Sequence, residues 1–270
     1  SGAGDWWTLG LKMAETATCA LPVELPPAVS SARLIFLGEY HGTVETPLLA
    51  AEFACTLAKP ERRVTLALEM DRAEQLALDG YLAGDGGKAA QRALLSTPFW
   101  RTTRDGRAST GTLAMIERVR LLRKSGLNVD LLALDGVGGG TRDETMAAKL
   151  REAMQQDASR RFIFLAGNLH TRRAARGDGF DPGYESVAWL LRDQPSVALE
   201  LLPQSGSAWL CHSKDECGPV EVNGRPGAAT RRVEIRMGNG RLPGYDGTVL
   251  LPKVTAAIPA VDAQKANHPP

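Results

Sequence analysis

The chain has 270 residues, enough to bury a sizeable core in one large α/β domain or two small ones. With 32 Lys and Arg against 31 Asp and Glu its net charge is +1, so no long-range field favours nucleic acid or an anionic membrane. Hydrophobic residues make up 43% and charged residues 23%, as in globular proteins, and no apolar run approaches the roughly 18 residues of a transmembrane helix.

The opening SGAGDWWTLG has neither a basic n-region nor an apolar h-region, so no signal peptide is expected within this sequence. Residues 33–38 form the first apolar run and predict a strand. Residues 46–59 follow with Leu48, Leu49, Phe53 and Leu57 on one helical face, and Cys55 among them reads as a buried small hydrophobe. Residues 64–70 predict the second strand, after which Asp71 is suited to cap a helix running to residue 82. The stretch 84–111, rich in Gly, Arg and Thr around Phe99 and Trp100, breaks the rhythm and reads as a lid-like insertion. Residues 112–124 carry Leu113, Ile116, Val119 and Leu122 on one stripe and stop at Gly126. A third strand at 129–135 leads to TRDE, a capping box opening a helix over 141–157. Strands at 162–167 and 196–202 enclose a shorter helix at 184–192, and residues 209–249 suggest appended hairpins. This alternation predicts an α/β fold, a mostly parallel sheet with helices on both faces and C-terminal β-hairpin elements. Residues 1–251 are expected to form one hydrolase-like α/β domain, and 252–270 a partly mobile extension in which His268 has no chemical part.

Four histidines are present, and two stand in matching settings: LIFLGEYHG delivers His41 and FIFLAGNLH delivers His170. A strand ending in Gly and a polar cluster presents side chains at the sheet rim, where open α/β sheets bind ligands. The other strands end alike. Glu39 precedes His41, Glu69 closes LALE, Asp135 closes LLALD, Asn168 precedes His170, and Glu200 lies in the fifth run. Singly, a strand-end glutamate is a cap or ion-pair partner, and a histidine in a turn a hydrogen-bonded structural residue. Repetition at strand after strand points instead to a shared site, since clustered ionisable groups partner one another and carry acid–base chemistry.

Hydrolysis of an ester or amide needs water made nucleophilic near neutral pH. A histidine beside a carboxylate does this as a base, and a metal held by two His and one carboxylate does it by acidifying bound water. His41, His170 and Glu69 (or Glu39) suit either role, with Asn168 placed to orient water or an oxyanion and Trp100, Asp135 and Arg142 expected to line the substrate. No G-x-S-x-G elbow supports a nucleophilic serine. GVGGGT at 136–141 does not fit a dinucleotide fingerprint and reads as a rim loop facing an anionic group at the helix start. Cys211 and Cys217 bracket a short polar segment and are read as a loop-closing disulfide of an oxidising compartment, in preference to a zinc site with His212.

Gly38-Glu39-Tyr40-His41, then Glu69, then Arg142-Asp143 with Met146, then Gly167-Asn168-Leu169-His170, together resemble the superfamily of erythromycin esterases, ChaN and Tiki/TraB proteins. The closing YDGTVLLPKVTAA from Tyr245 resembles the esterase-like branch, and the likeness touches most of 33–257. The chain departs from that branch where Thr43-Val44-Glu45-Thr46 follows His41 without an Arg. The resemblance implies different chemistry by branch. Tiki-like members are metal-dependent proteases, erythromycin esterases use the first His as a general base supported by a Glu, and ChaN-like members bind haem. The expectation is therefore a periplasmic or secreted hydrolase of a small-molecule or peptide ester or amide. His41 is expected as base or metal ligand, His170 as second ligand or proton donor, and Glu39 and Glu69 as orienting or ligating groups around Zn, Mn, Co or Ca. The alternatives are a haem or small-ligand binding protein without turnover, with Tyr184 or Tyr245 as haem ligand, and a non-catalytic interaction protein on the same scaffold.

Overall fold

The computed structural model describes residues 18–173, 183–224, 230–238 and 242–266. In chain order they form α1 (Pro27–Ser30), β1 (Leu34–Glu39), α2 (Glu45–Leu57) and β2 (Val64–Asp71). A 3₁₀ turn, Arg72–Glu74, leads to α3 (Gln75–Ala83), α4 (Lys88–Leu95), α5 (Pro98–Thr102), α6 (Thr110–Lys124) and β3 (Val129–Asp135). Next come α7 (Arg142–Gln156), β4 (Arg161–Gly167), α8 (Asn168–Thr171), α9 (Val187–Leu190) and β5 (Ser196–Pro203). The chain closes with β6 (Ser207–Ser213), β7 (Glu216–Glu221), β8 (Glu234–Met237), β9 (Gly247–Leu251) and α10 (Ala260–Ala266).

The main sheet has the order β3-β2-β4-β1-β5-β9-β8. It is parallel except for the edge strand β8, which runs antiparallel to β9. β1 sits in the middle and is buried along its whole length. A strand covered by helices on both faces has no solvent side, which is why its apolar run is continuous. Its residues alternate between two cores. Ile35 and Leu37 pack with Phe53 of α2 and Ile116 of α6, whereas Leu34 and Phe36 pack with Met146 and Leu150 of α7. β6 and β7 form a separate two-stranded hairpin, as appended β elements were expected to.

The local signals explain most element boundaries. Asp71 caps the 3₁₀ turn through Ala73 N at 2.9 Å. Thr141 and Glu144 form the reciprocal capping box of α7. Gly126, at φ +95°, follows α6 in the left-handed region that favours glycine. The expected helix over 184–192 is shorter, reduced to α9.

One reading needs correction. Cys55 is buried, but it is a disulfide partner of Cys19 and not a free thiol. The segment 84–111, read as lid-like, folds as α4, α5, a loop and the start of α6, with Leu94 and Leu95 of α4 and Phe99 and Trp100 of α5 buried in the main core. At about 1.5–3 kcal/mol for each buried large apolar side chain, that burial fastens it to the body. Cys211 and Cys217 are bonded as expected, facing each other across β6 and β7. Residues 252–266 pack back onto the molecule, with Val254, Ala257 and Ala260 buried. His268 lies outside the described residues. Among the described residues no helix is long and apolar enough to cross a membrane.

Candidate active site at the strand ends

Sheet order decides which strand ends meet. β4 lies between β1 and β2, with Glu39 in register with Gly167 and Leu165 with Leu68. β3 adjoins β2 on the far side. The carboxyl ends of β3, β2, β4 and β1 therefore bring Asp135, Glu69, Gly167 and Glu39 side by side.

His41 Nδ1 lies 3.0 Å from Glu39 Oε1, and its Nε2 lies 3.1 Å from Glu69 Oε2. Glu69 Oε1 is 3.5 Å from His170 Nε2, whose Nδ1 meets Asp143 at 2.9 and 3.0 Å. The result is a row of five in which carboxylates and imidazoles alternate: Glu39, His41, Glu69, His170, Asp143. Gly167 N donates to Glu69 Oε2 at 3.0 Å and Val187 N to Asp143 Oδ2 at 3.0 Å. Thr46 donates its hydroxyl to Glu39 Oε2. Two guanidinium groups close the ring. Arg142 Nη2 reaches Glu69 at 2.6 Å and Asp135 at 2.5 Å, and Arg107 Nη1 lies 3.7 Å from Glu69 and 3.6 Å from Asp135.

Charge follows from this packing. Burial opposes the charged form of His41, but Glu69 and Glu39 outweigh it and raise the imidazole from 6.5 to about 10. His170 is likewise opposed by burial and raised to about 9 by Asp143 and Glu69. Burial pushes Glu69 up, yet the two imidazoles hold it well below the usual carboxylate range.

The backbone fixes the His41 loop from three directions. Gly42 O accepts from Trp209 N of β6 at 2.8 Å and from Ala257 N at 2.9 Å. Gly42 has φ +92°, and a Cβ there would lie 2.0 Å from Trp209 O. A Cβ on Gly106 would lie 2.5 Å from Gly42 N, so the loop carrying Arg107 is pressed against the loop carrying His41.

Of the residues singled out in the sequence, His41, Glu39, Glu69, His170, Asp135 and Arg142 lie together at this rim. Asn168 begins α8 between Gly167 and His170, and its carbonyl accepts from the Tyr245 hydroxyl at 2.7 Å. Trp100, expected at the substrate, is fully buried in the core against Phe99. Glu200 is also elsewhere. Its register with Gly38 puts it on the sheet face opposite Glu39, where it accepts from Leu242 N. Sequence reading missed Arg107 and Thr46. Asp105-Gly106-Arg107, a glycine between opposite charges in a rim segment, was the available signal for Arg107.

The metal set proposed from the sequence does not fit this arrangement. Among the described residues no three His, Cys, Asp or Glu side chains converge as metal ligands. Glu69 lies between the two imidazoles instead of beside them, and Arg142 and Arg107 already stand on it as cations. Haem ligation fares no better from Tyr245, which is buried with its hydroxyl shared between Asn168 O and Thr171 Oγ1. Tyr184 stacks on His170 with ring centroids 6.1 Å apart.

No protein-family model and no curated protein matches the sequence. Solved structures do match. The fold is similar to that of an erythromycin esterase. A mutant of erythromycin esterase EreC in its open conformation aligns with TM-score 0.63 over 85% of this chain and 93% of its own, at 12% identity. A succinoglycan biosynthesis protein aligns with TM-score 0.62 at 10% identity, covering 93% of this chain and 98% of its own. A Bacillus cereus protein aligns with TM-score 0.59 at 12% identity, covering 94% and 99%. At such identities the esterase likeness is one of fold, and chemistry has to be argued from the residues.

Proposed function

We propose that the chain is a hydrolase that cleaves an ester or amide through water activated by the Glu39 end of the acid–base row. The alternation of carboxylate and imidazole along that row is the observation that carries this reading. Glu69 is heavily engaged: it accepts from Arg142 and Gly167 N and lies within ion-pair distance of the His41 and His170 imidazoles. Glu39 receives one donor on each oxygen and, with His41 and Glu69, borders a narrow chamber floored by Leu68 and Leu165. Water in that chamber gives its proton to Glu39. His41, held as an imidazolium near neutral pH, delivers a proton to the leaving group, so the base role expected of it passes to Glu39. His170 and Asp143 keep Glu69 ionised and in place. No step is routed through a metal. The two disulfides favour an oxidising compartment, the periplasm or the cell exterior.

A panel of small esters and peptides tests the reading. Glu39→Gln and His41→Asn are expected to lower kcat by about 10²–10⁴-fold, with the fold intact by circular dichroism. Equal rates in both variants and the parent would overturn it. A Soret band on haem addition, with no hydrolysis across the panel, would replace it with a ligand-binding role.

A further inference from the structure

We propose that Arg107 Nη1 holds the oxyanion formed when water attacks the substrate carbonyl; the inference rests on the hydrolase reading above. Its position is the first argument. Arg107 borders the inner chamber beside Glu39, His41 and Glu69, and it also borders an open outer cleft with Phe99, Thr103, Asp135 and Arg142. A carbonyl arriving from the cleft and water arriving from the chamber meet beside this guanidinium.

Its donors are the second. Nε lies 3.0 and 3.1 Å from the Asp105 carboxylate, and Nη2 lies 2.9 Å from it. Nη1 faces Glu69 and Asp135 at 3.7 and 3.6 Å, too long for hydrogen bonds. Arg142 is likewise held through its Nε and Nη2, by Asp135 and Glu69, but it borders the outer cleft and not the inner chamber. The third is preorganisation. Asp105 also accepts the Arg107 backbone N–H at 3.2 Å, and Gly106, at φ +94°, is fitted closely against Gly42. The Arg107 side chain is thus registered to the His41 loop, and a fixed donor aimed at developing charge needs no reorganisation during reaction.

The step balances. The water oxygen bonds to the carbonyl carbon while its proton passes to Glu39, and the carbonyl π pair moves onto oxygen, where Arg107 Nη1–H holds it. As that pair returns, the C–O or C–N bond breaks and the leaving alcohol or amine takes the proton of His41. Asp105 acts here as a positioning residue.

Two measurements on the intact protein separate this inference from the reading beneath it. Methylphosphonate, a tetrahedral anion, is titrated by calorimetry into the parent, Arg107→Ala and Arg107→Lys. Binding is expected to weaken at least about 10-fold in the alanine variant and less in the lysine variant. Equal binding in parent and Arg107→Ala, or no saturable binding to the parent, overturns the role of Arg107 whatever the hydrolysis data say. With 4-nitrophenyl acetate, Arg107→Ala is expected to lose about 10²–10³-fold in kcat with little change in KM, and added guanidinium to restore part of it. A kcat indifferent to Arg107→Ala sinks the inference while leaving Glu39 and His41 standing. Hydrolysis indifferent to Glu39→Gln sinks the hydrolase reading itself, and the oxyanion role falls with it.

Discussion

At the scale of single residues, the row from Glu39 to Asp143 ties stability to pH in a way that its composition dictates. The imidazoles of His41 and His170 have raised values in the folded protein, about 10 and about 9. The stability they contribute is complete below their ordinary 6.5 and is lost as pH climbs through those folded values. Glu69 has the opposite sign: its contribution is present above its ordinary 4.5 and fades as pH falls through its depressed folded value. Thermal unfolding followed across pH is expected to show Tm declining between 6.5 and about 10, with a shallower alkaline limb in His41→Asn. A Tm that stays level over that interval would contradict the charge state described. His41, His170, Glu39 and Glu69 were legible in the sequence because each sits where an apolar run ends, and a strand end is a place as well as a pattern. Arg107 was not legible, since its approach depends on the path of the loop between α5 and α6. Glu200 lies apart because β5 flanks β1 on the side away from β4, β2 and β3, whose ends carry the rest of the site, and sheet order leaves no mark in the sequence.

Among the elements, the tightest constraint is the loop after β1. Gly42 combines φ +92° with a Cβ position 2.0 Å from Trp209 O, so Gly42→Ala meets both backbone strain and a steric clash with main chain. We expect a loss of about 1–3 kcal/mol for the strained backbone alone, read by urea unfolding, together with a fall in hydrolysis as His41 shifts. Unchanged stability would show that the junction with β6 yields easily. Helix starts and stops were legible, as the Thr141 and Glu144 capping box and Gly126 show, because capping is local chemistry. Sheet order was not, because the crossovers that set β4 between β1 and β2 leave no mark in either strand's own residues. The glycines of 84–111 drew attention to chain flexibility, whereas Leu94, Leu95, Phe99 and Trp100 settle the segment into the core.

For the molecule as a whole, the two disulfides differ in reach. Cys19 and Cys55 are separated by 36 positions and Cys211 and Cys217 by 6. Loop-closure entropy assigns them about 4 and about 2 kcal/mol respectively. Paired Cys→Ser variants compared by chemical denaturation are expected to rank in that order, and the reverse order would mean that the hairpin clasp matters for reasons beyond chain entropy. The sequence offered spacing for the short bridge and none for the long one, whose partners are brought together as residues 18–20 run beside α2. There Ala20 N donates to Glu52 at 2.6 Å, and Arg118, itself paired with Glu52, donates to Thr18 O. The carbonyl of Gly42 has a consequence in time as well as space. One of its two donors, Ala257, lies more than two hundred positions downstream, and Thr255 fastens Glu45 in the same neighbourhood with bonds of 2.8 and 2.9 Å. A ribosome making this chain lays down His41 more than two hundred residues before Ala257, whose N–H completes its support. The reactive loop is therefore made well before it can be made ready, and a growing chain carries its acid–base residues unassembled until the stretch around Thr255 and Ala257 has been added.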